Sequence, residues 1–321
     1  MATLLRKSDG PVSFRTGVAG AACTGLVPVT ARMRRMKRRT LVSQAAVLAA
    51  LPAFARPAAV VDFAALERRV QGRIGFFAFD TGSGRVMGHR ADDRFATAST
   101  FKILLAARVA QGVEAGRWGW NDAVPLRESD RVPHSPAFDR YLPRGQATLA
   151  ELVQGIVVES DNPCANVLLR HCCDSPAGLT VWLRQQGDTV TRLDRFEPEL
   201  NENAPGDERD TSTPRAFART LQHLLLGPGL TRANQARLWA DLQASRTGLK
   251  RLRAGAPEGW RVIDKTGSGA RGAANDVALV FPPGGRSPWV VVAFQSDSKA
   301  SGDDLNAVHA DAMRALVKAW A

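Results

Sequence analysis

From residue 62 onward the chain alternates between two hydrophobic rhythms, and the changes of rhythm predict its architecture. Asp62–Gln71, DFAALERRVQ, spaces its apolar residues for one face of a helix. Arg73–Phe79 and Arg85–His89, split by the turn sequence Asp80-Thr81-Gly82-Ser83-Gly84, predict strand, turn, strand. Between Ser99 and Gln243 nearly every apolar pattern is helical, broken by Pro/Gly/Asp-rich loops such as 131–145 and 196–214. After Trp260 the texture changes back. Val262–Lys265, Asp276–Phe281 and Trp289–Gln295 are β-branched or aromatic runs, and Asp303–Trp320 is a closing amphipathic helix. The simplest assembly is an α+β fold: an antiparallel sheet flanked by helices, with an all-helical lobe inserted between its two sequence halves. The boundaries that follow are 56–95 and 248–321 for the α/β lobe and 96–247 for the helical lobe. A functional cleft is expected between them.

A chain of 321 residues that is 45% hydrophobic has enough material for a core, which excludes a disordered or low-complexity class. The net charge of +12 raises a nucleic-acid reading, but the charge is badly distributed for one. Residues 1–55 hold nine of the 43 basic residues and one of the 31 acidic ones, so the remainder carries only +4. Met33–Pro57 contains a cluster of cations, an apolar run from Leu41 to Phe54, and Ala53-Phe54-Ala55. That order is a secretory signal peptide with cleavage expected after Ala55, and its apolar run is too short to span a bilayer. Arg38-Arg39 ahead of the run suggests a twin-arginine signal, and Met33 or Met36 is a plausible start. The expectation is a periplasmic or secreted monomer with no stable membrane anchor and no nucleic-acid partner.

Cysteine and histidine usage predicts neither disulfides nor metal. Cys164 and Cys172 are eight residues apart on an expected helix, about 12 Å along its axis, beyond disulfide reach. Adjacent Cys172 and Cys173 rarely bridge, so buried free thiols are expected. The five histidines form no metal-ligand spacing and no C-x-x-C exists, so no metal or other cofactor is expected.

Three short motifs carry chemistry. Ser99-Thr100-Phe101-Lys102 opens an apolar helix, where a serine and a lysine three residues on share one face. The motif alone reads better as an N-cap serine with a solvated lysine, and it recurs at Ser296-Asp297-Ser298-Lys299 after a strand. Ser160-Asp161-Asn162 precedes the helix PCANVLL, and Lys265-Thr266-Gly267-Ser268-Gly269 ends a strand with glycines that admit a close backbone approach. In this order they resemble the S-x-x-K, S-D-N and K-T-G set of class A serine β-lactamases and penicillin-binding proteins. A fourth element separates the two. Residues 192–214, RLDRFEPELNENAPGDERDTSTP, resemble the Ω-loop of class A serine β-lactamases, with E-P-x-x-N falling on Glu197, Pro198 and Asn201 and the loop-closing ion pair on Arg195 and Asp210. The resemblance spans about 62–321 and implies a β-lactamase/transpeptidase-like fold.

The resemblance implies that Ser99 attacks a lactam carbonyl and forms an acyl-enzyme, with the backbone N–H groups of Ser99 and Ser268 as oxyanion hole. Lys102 or Glu197 takes the serine proton, and Glu197 with Asn201 activates the deacylating water. Ser160, bonded to Lys265, passes a proton to the leaving nitrogen, and Asn162 holds the substrate's side-chain amide. Lys265, Thr266, Gly267 and Ser268 form the substrate's carboxylate strand. The family's usual arginine position after K-T-G is Ala274 here, so Arg251, with its planar fork, is the expected carboxylate anchor, ahead of Arg271. His134 falls where the family has an aromatic gate at the cleft mouth. The expected activity is hydrolysis of penicillins and cephalosporins, conferring antibiotic resistance. Ala98 and Gly269 stand where carbapenemases of the family carry a disulfide, so carbapenem turnover should be weak. A DD-peptidase or a non-hydrolytic β-lactam sensor would share the first three motifs but need no Glu197. A mechanism using Y-x-N is excluded because the one tyrosine, Tyr141, lies in Y-L-P.

Overall fold

The computed structural model describes residues 61–321; the expected signal peptide and its cleavage site at Ala55 lie outside the described residues. Helix α1 (Phe63–Val70) begins where the Asp62 carboxylate accepts from Ala65 N at 2.9 Å as an N-cap. Strands β1 (Arg73–Asp80) and β2 (Val86–His89) follow as a hairpin. The short strand β3 (Phe95–Ala96) leads to a 3₁₀ turn (Ala98–Thr100) and helix α2 (Phe101–Glu114). Short strands β4 (Ala123–Pro125) and β5 (Gln146–Thr148) pair with each other and frame α3 (Phe138–Tyr141). Helices α4 (Leu149–Val158), α5 (Asn162–Cys173) and α6 (Pro176–Gln185) then precede the loop that ends in β6 (Thr211–Ser212). Helices α7 (Pro214–Leu225), α8 (Arg232–Ala244) and α9 (Leu252–Gly255) lead to strands β7 (Arg261–Ser268), β8 (Ala274–Phe281) and β9 (Trp289–Ser296), and α10 (Gly302–Trp320) closes the chain.

The main sheet is antiparallel throughout, in the order β2-β1-β9-β8-β7, so strands from the two ends of the described chain meet at β1 and β9. Side-chain alternation splits it between two cores. Phe77, Val290, Val292 and Phe294 face the helices built from the middle of the chain. Phe76, Ala78, Val291 and Ala293 face α1 and α10. With both faces covered, β1, β8 and β9 are buried almost from end to end and their apolar stretches do not alternate with polar residues.

Two features of this frame set up chemistry. Helix α2 is buried on nearly every side, Lys102 included, and lies against α4, α5, α6 and α8. Strand β7 is the edge of the sheet and runs beside the 3₁₀ turn of residues 98–100. The three cysteines of α5 are buried free thiols, as the helical spacing requires.

Candidate active site

Ser99 lies in the 3₁₀ turn just before α2 rather than in the helix proper, after Ala98 at φ 43°. The β3–β6 pairing and the Thr97 N to Asp210 O bond of 2.9 Å tie this turn to the end of the 192–214 loop. On its other side β7 comes so close that a Cβ on Gly267 would sit 2.9 Å from Thr97 O and 3.0 Å from Ser99 N, so this position must be glycine. Asn275 on β8 completes the mount by donating to Ala96 O and Thr97 O at 2.8 and 3.0 Å.

Lys102 reaches back one turn, and its Nζ donates to Ser99 Oγ at 2.9 Å. Three further oxygens surround it: Ser160 O at 2.6 Å, Asn162 Oδ1 at 2.5 Å and Glu197 Oε1 at 3.0 Å. An ammonium has three hydrogens for these four acceptors. Of these partners the Ser99 hydroxyl is the one that can both accept and donate. A neutral amine donating to Ser160 O and Asn162 Oδ1 would turn its lone pair to that hydroxyl. Burial pushes the Lys102 amine below its ordinary range, and the Glu197 carboxylate opposes the shift. Both members of this ion pair are fully buried, an arrangement that costs desolvation and is weak evidence of a stabilising role.

Glu197 is held from three sides. Its N–H donates to Asn166 Oδ1 at 2.9 Å, its carbonyl accepts from Asn166 Nδ2 at 2.8 Å, and its Oε2 accepts from Asn201 Nδ2. Its Oε1 also lies 3.3 Å from Ser99 Oγ, which can donate to it. The expected closing pair is present: Arg195 Nε donates to Asp210 Oδ2 at 2.6 Å, and Asp210 Oδ1 accepts from the N–H groups of Asp194 and Arg195.

Opposite, Lys265 on β7 donates to Ser160 Oγ at 2.9 Å and to Thr266 O at 2.8 Å. Burial, and after it the charge of Lys102, push its amine well below the usual range. Because Lys265 donates into Ser160 Oγ, the Ser160 proton is free to point elsewhere. Asp161 accepts from the N–H groups of Ala137, Phe138 and Cys164 at 2.8 to 2.9 Å, locking the 133–138 loop onto α5.

A cavity of about 320 Å³ opens over this cluster. It is lined by Ser99, Ser160, Asn162, Asn201, Thr266, Gly267, Ser268, Arg251 and His134 from among the residues singled out by sequence, while Lys102, Glu197 and Lys265 are buried beneath. Thr247, which the sequence did not single out, joins the lining and accepts from Thr266 Oγ1 at 2.7 Å. Asn166 was likewise missed; its signal is the i, i+4 spacing from Asn162 on one helix face.

Two side chains at the cavity have part of their hydrogen-bonding capacity already engaged. Arg251 lines the cavity but presents no open fork, because its guanidinium already donates to Gly267 O, Asn275 O, Asn306 Oδ1 and Ser268 Oγ at 2.6 to 2.9 Å. One Nη2 hydrogen remains for a ligand. His134, at φ 67°, has its Nε2 2.9 Å from Glu159 O, so one ring edge is tied back to the backbone. Arg271 is turned away and pairs with Asp297.

The model of the β-lactamase enzyme family matches residues 59–320. β-Lactamase L2 of Stenotrophomonas maltophilia is 44% identical over 246 residues, 77% of this chain and 80% of that protein. β-Lactamase FAR-1 of Nocardia farcinica is 42% identical over 263 residues, 81% of this chain and 82% of that one. The solved structure of a reconstructed last common ancestor of Gram-negative class A β-lactamases superimposes with a TM-score of 0.78 at 46% identity, covering 80% of this chain and 97% of that one.

Proposed function

Because the chain belongs to the class A serine β-lactamases, hydrolases of the β-lactam amide bond, we propose that it degrades penicillins and cephalosporins with Ser99 as nucleophile and Glu197 as the deacylating base. The observation that carries the assignment is the convergence of Lys102 Nζ at 2.9 Å and Glu197 Oε1 at 3.3 Å on the one Ser99 hydroxyl. Two proton acceptors then serve two half-reactions. In acylation Ser99 Oγ bonds to the lactam carbonyl carbon, the C–N bond breaks, and the serine proton passes to the neutral Lys102 amine. The amine's 2.9 Å approach to Ser99 Oγ and the downward push of burial on it support that role. The displaced nitrogen takes its proton from Ser160, whose hydroxyl is oriented by Lys265 and is reprotonated by the proton that Lys102 took from Ser99. The carbonyl oxygen, now anionic, sits against the backbone N–H groups of Ser99 and Ser268.

In deacylation Glu197 takes a proton from water held with Asn201, the water oxygen adds to the ester carbonyl, and the bond to Ser99 Oγ breaks as Oγ receives the proton Glu197 took. The substrate carboxylate binds Lys265, Thr266 and Ser268. Arg251 acts chiefly through Ser268: by donating into Ser268 Oγ at 2.8 Å it leaves the Ser268 proton for the ligand. Asn162 meets the acyl side chain and His134 borders the entrance. The active form proposed is a monomer. The cationic and apolar order of residues 33–55 supports export, by a twin-arginine route, to the periplasm or beyond. Steady-state hydrolysis of a penicillin, a cephalosporin and a carbapenem by the purified protein tests the reading. Turnover of the first two with little of the third is expected; a persistent acyl-enzyme without turnover would instead indicate a sensor or peptidase.

A further inference from the structure

The 203–208 segment of the Ω-loop arches over a cavity of about 370 Å³ bordered by Arg73, Arg94, Ser296 and Asp297. Side-chain packing therefore does little to fix this stretch from below, although Glu197 and Asn201 lie just upstream of it. At its far end Glu208 pairs with Arg94 at 3.6 Å and its carbonyl accepts from Thr211 Oγ1 at 2.6 Å; at the end nearest Asn201 the join is the Asn203 side chain. Asn203 Nδ2 donates to Ala270 O at 3.2 Å and approaches Ser296 Oγ at 3.1 Å, while Ser296 Oγ lies 3.4 Å from Asn203 Oδ1. The contact with a carbonyl oxygen, which can only accept, fixes which end of the amide points to Ala270. Beside it Ala270 N donates to Asn201 O at 2.9 Å, and a Cβ on Gly269 would meet that same oxygen at 2.9 Å. Asn203 has φ 50°, a left-handed conformation that asparagine and glycine tolerate best.

We infer that Asn203 is a positioning residue for the second half-reaction: its amide latches the Ω-loop to the turn after β7 and thereby holds Asn201 and Glu197 at deacylating distance. The inference rests on the acyl-enzyme mechanism proposed above. Asn201 forms one wall of the substrate cavity and Gly267 and Ser268 form the other, so the latch also sets the gap between those walls. The nucleophile and its amine are carried by α2 and by the turn that Asn275 of β8 holds, and neither hydrogen-bonds to Asn203.

Two substitutions isolate the amide. Asn203→Gly keeps the left-handed backbone and removes the side chain; Asn203→Asp keeps the shape and sets a carboxylate oxygen against Ala270 O. Acylation and deacylation rates of the full-length protein are measured separately by stopped flow with one penicillin and one cephalosporin bearing a bulky acyl group. In both variants deacylation is expected to fall about tenfold, the scale of one net hydrogen bond, with acylation changed less than about threefold. The bulky substrate's KM is expected to fall relative to the small one's. Equal falls in both rates, or an unchanged ratio in a folded variant, would overturn the latch and leave the mechanism standing. If the parent forms no acyl-enzyme that turns over, the mechanism and the latch fall together.

Discussion

Replacing Asn166 by alanine should detach Glu197 from α5 while leaving the nucleophile in place. The substitution removes the acceptor for Glu197 N at 2.9 Å and the donor to Glu197 O at 2.8 Å. Asn166 is 4% exposed and Glu197 1%, so solvent does not reach these groups in the closed loop. A buried backbone group left unpaired costs about 1–3 kcal/mol, and two of them about 2–6 kcal/mol for the closed position. At about 1.4 kcal/mol per tenfold, the competent position of Glu197 would become about 30-fold to about 10⁴-fold less populated, less if the loop relaxes. Ser99 and Lys102 do not bond through Asn166, so acylation should suffer far less than deacylation. Stopped-flow burst amplitudes with a chromogenic cephalosporin, read beside thermal melts, separate the two effects. A large burst followed by slow turnover is expected. Asn166→Asp, which sets a buried carboxylate oxygen against the Glu197 carbonyl, should be no better. Deacylation within about threefold of the parent in a variant with an unchanged melting temperature would refute the reasoning.

Three further outcomes follow from the same contacts. Gly267→Ala puts a methyl 3.0 Å from Ser99 N, and acylation is expected to drop more than about tenfold in single-turnover kinetics while the protein stays folded; an unchanged rate would mean that β7 can retreat. His309 is buried, donates from Nε2 to Ala274 O at 3.0 Å, and is pushed down to about 3 by burial and then by the charge of Arg251. Between that value and about 6.5 the unfolded chain binds a proton that the folded one does not, so stability is lost as pH falls through this window. His309→Gln, which keeps a donor for Ala274 O, should flatten the acid limb of a stability-versus-pH curve; parallel curves would contradict the assignment. Finally, burial pushes the Cys172 and Cys173 thiols up to about 12 and Cys164 higher still, so a maleimide at about pH 8 should label none of the three until denaturant is added. Native labelling of Cys164, Cys172 or Cys173, located by peptide mapping so that Cys23 is scored apart, would contradict their burial.

Much of the site is legible in the sequence because its motifs are local. Ser99 and Lys102 are three residues apart, and Glu197 and Asn201 four apart, so spacing carries the geometry. Asn166 is not legible as a partner of Glu197, since its role is to bond the backbone of a residue 31 positions away. Arg251 illustrates an intermediate case. Its location at the cavity is readable, but the use of its guanidinium by Gly267 O and Asn275 O depends on how β7 and β8 present their carbonyls. The helix expected to open at Ser99 begins at Phe101, because β7 and Asn275 hold residues 97–100 in a turn of their own. The strands around Phe76 and Phe77 are visible as apolar runs, yet which side chain meets which core is not, because helices cover both faces.

The claim on which everything else depends is that Glu197 releases the acyl group from Ser99. Glu197→Ala mixed with a penicillin and examined by intact mass and peptide mapping tests it directly. The expected result is a stable adduct of the whole substrate mass on the peptide containing Ser99, while the parent under the same conditions returns to its unmodified mass and yields hydrolysed product. Parental turnover by the variant, or an adduct on any other residue, would contradict the account.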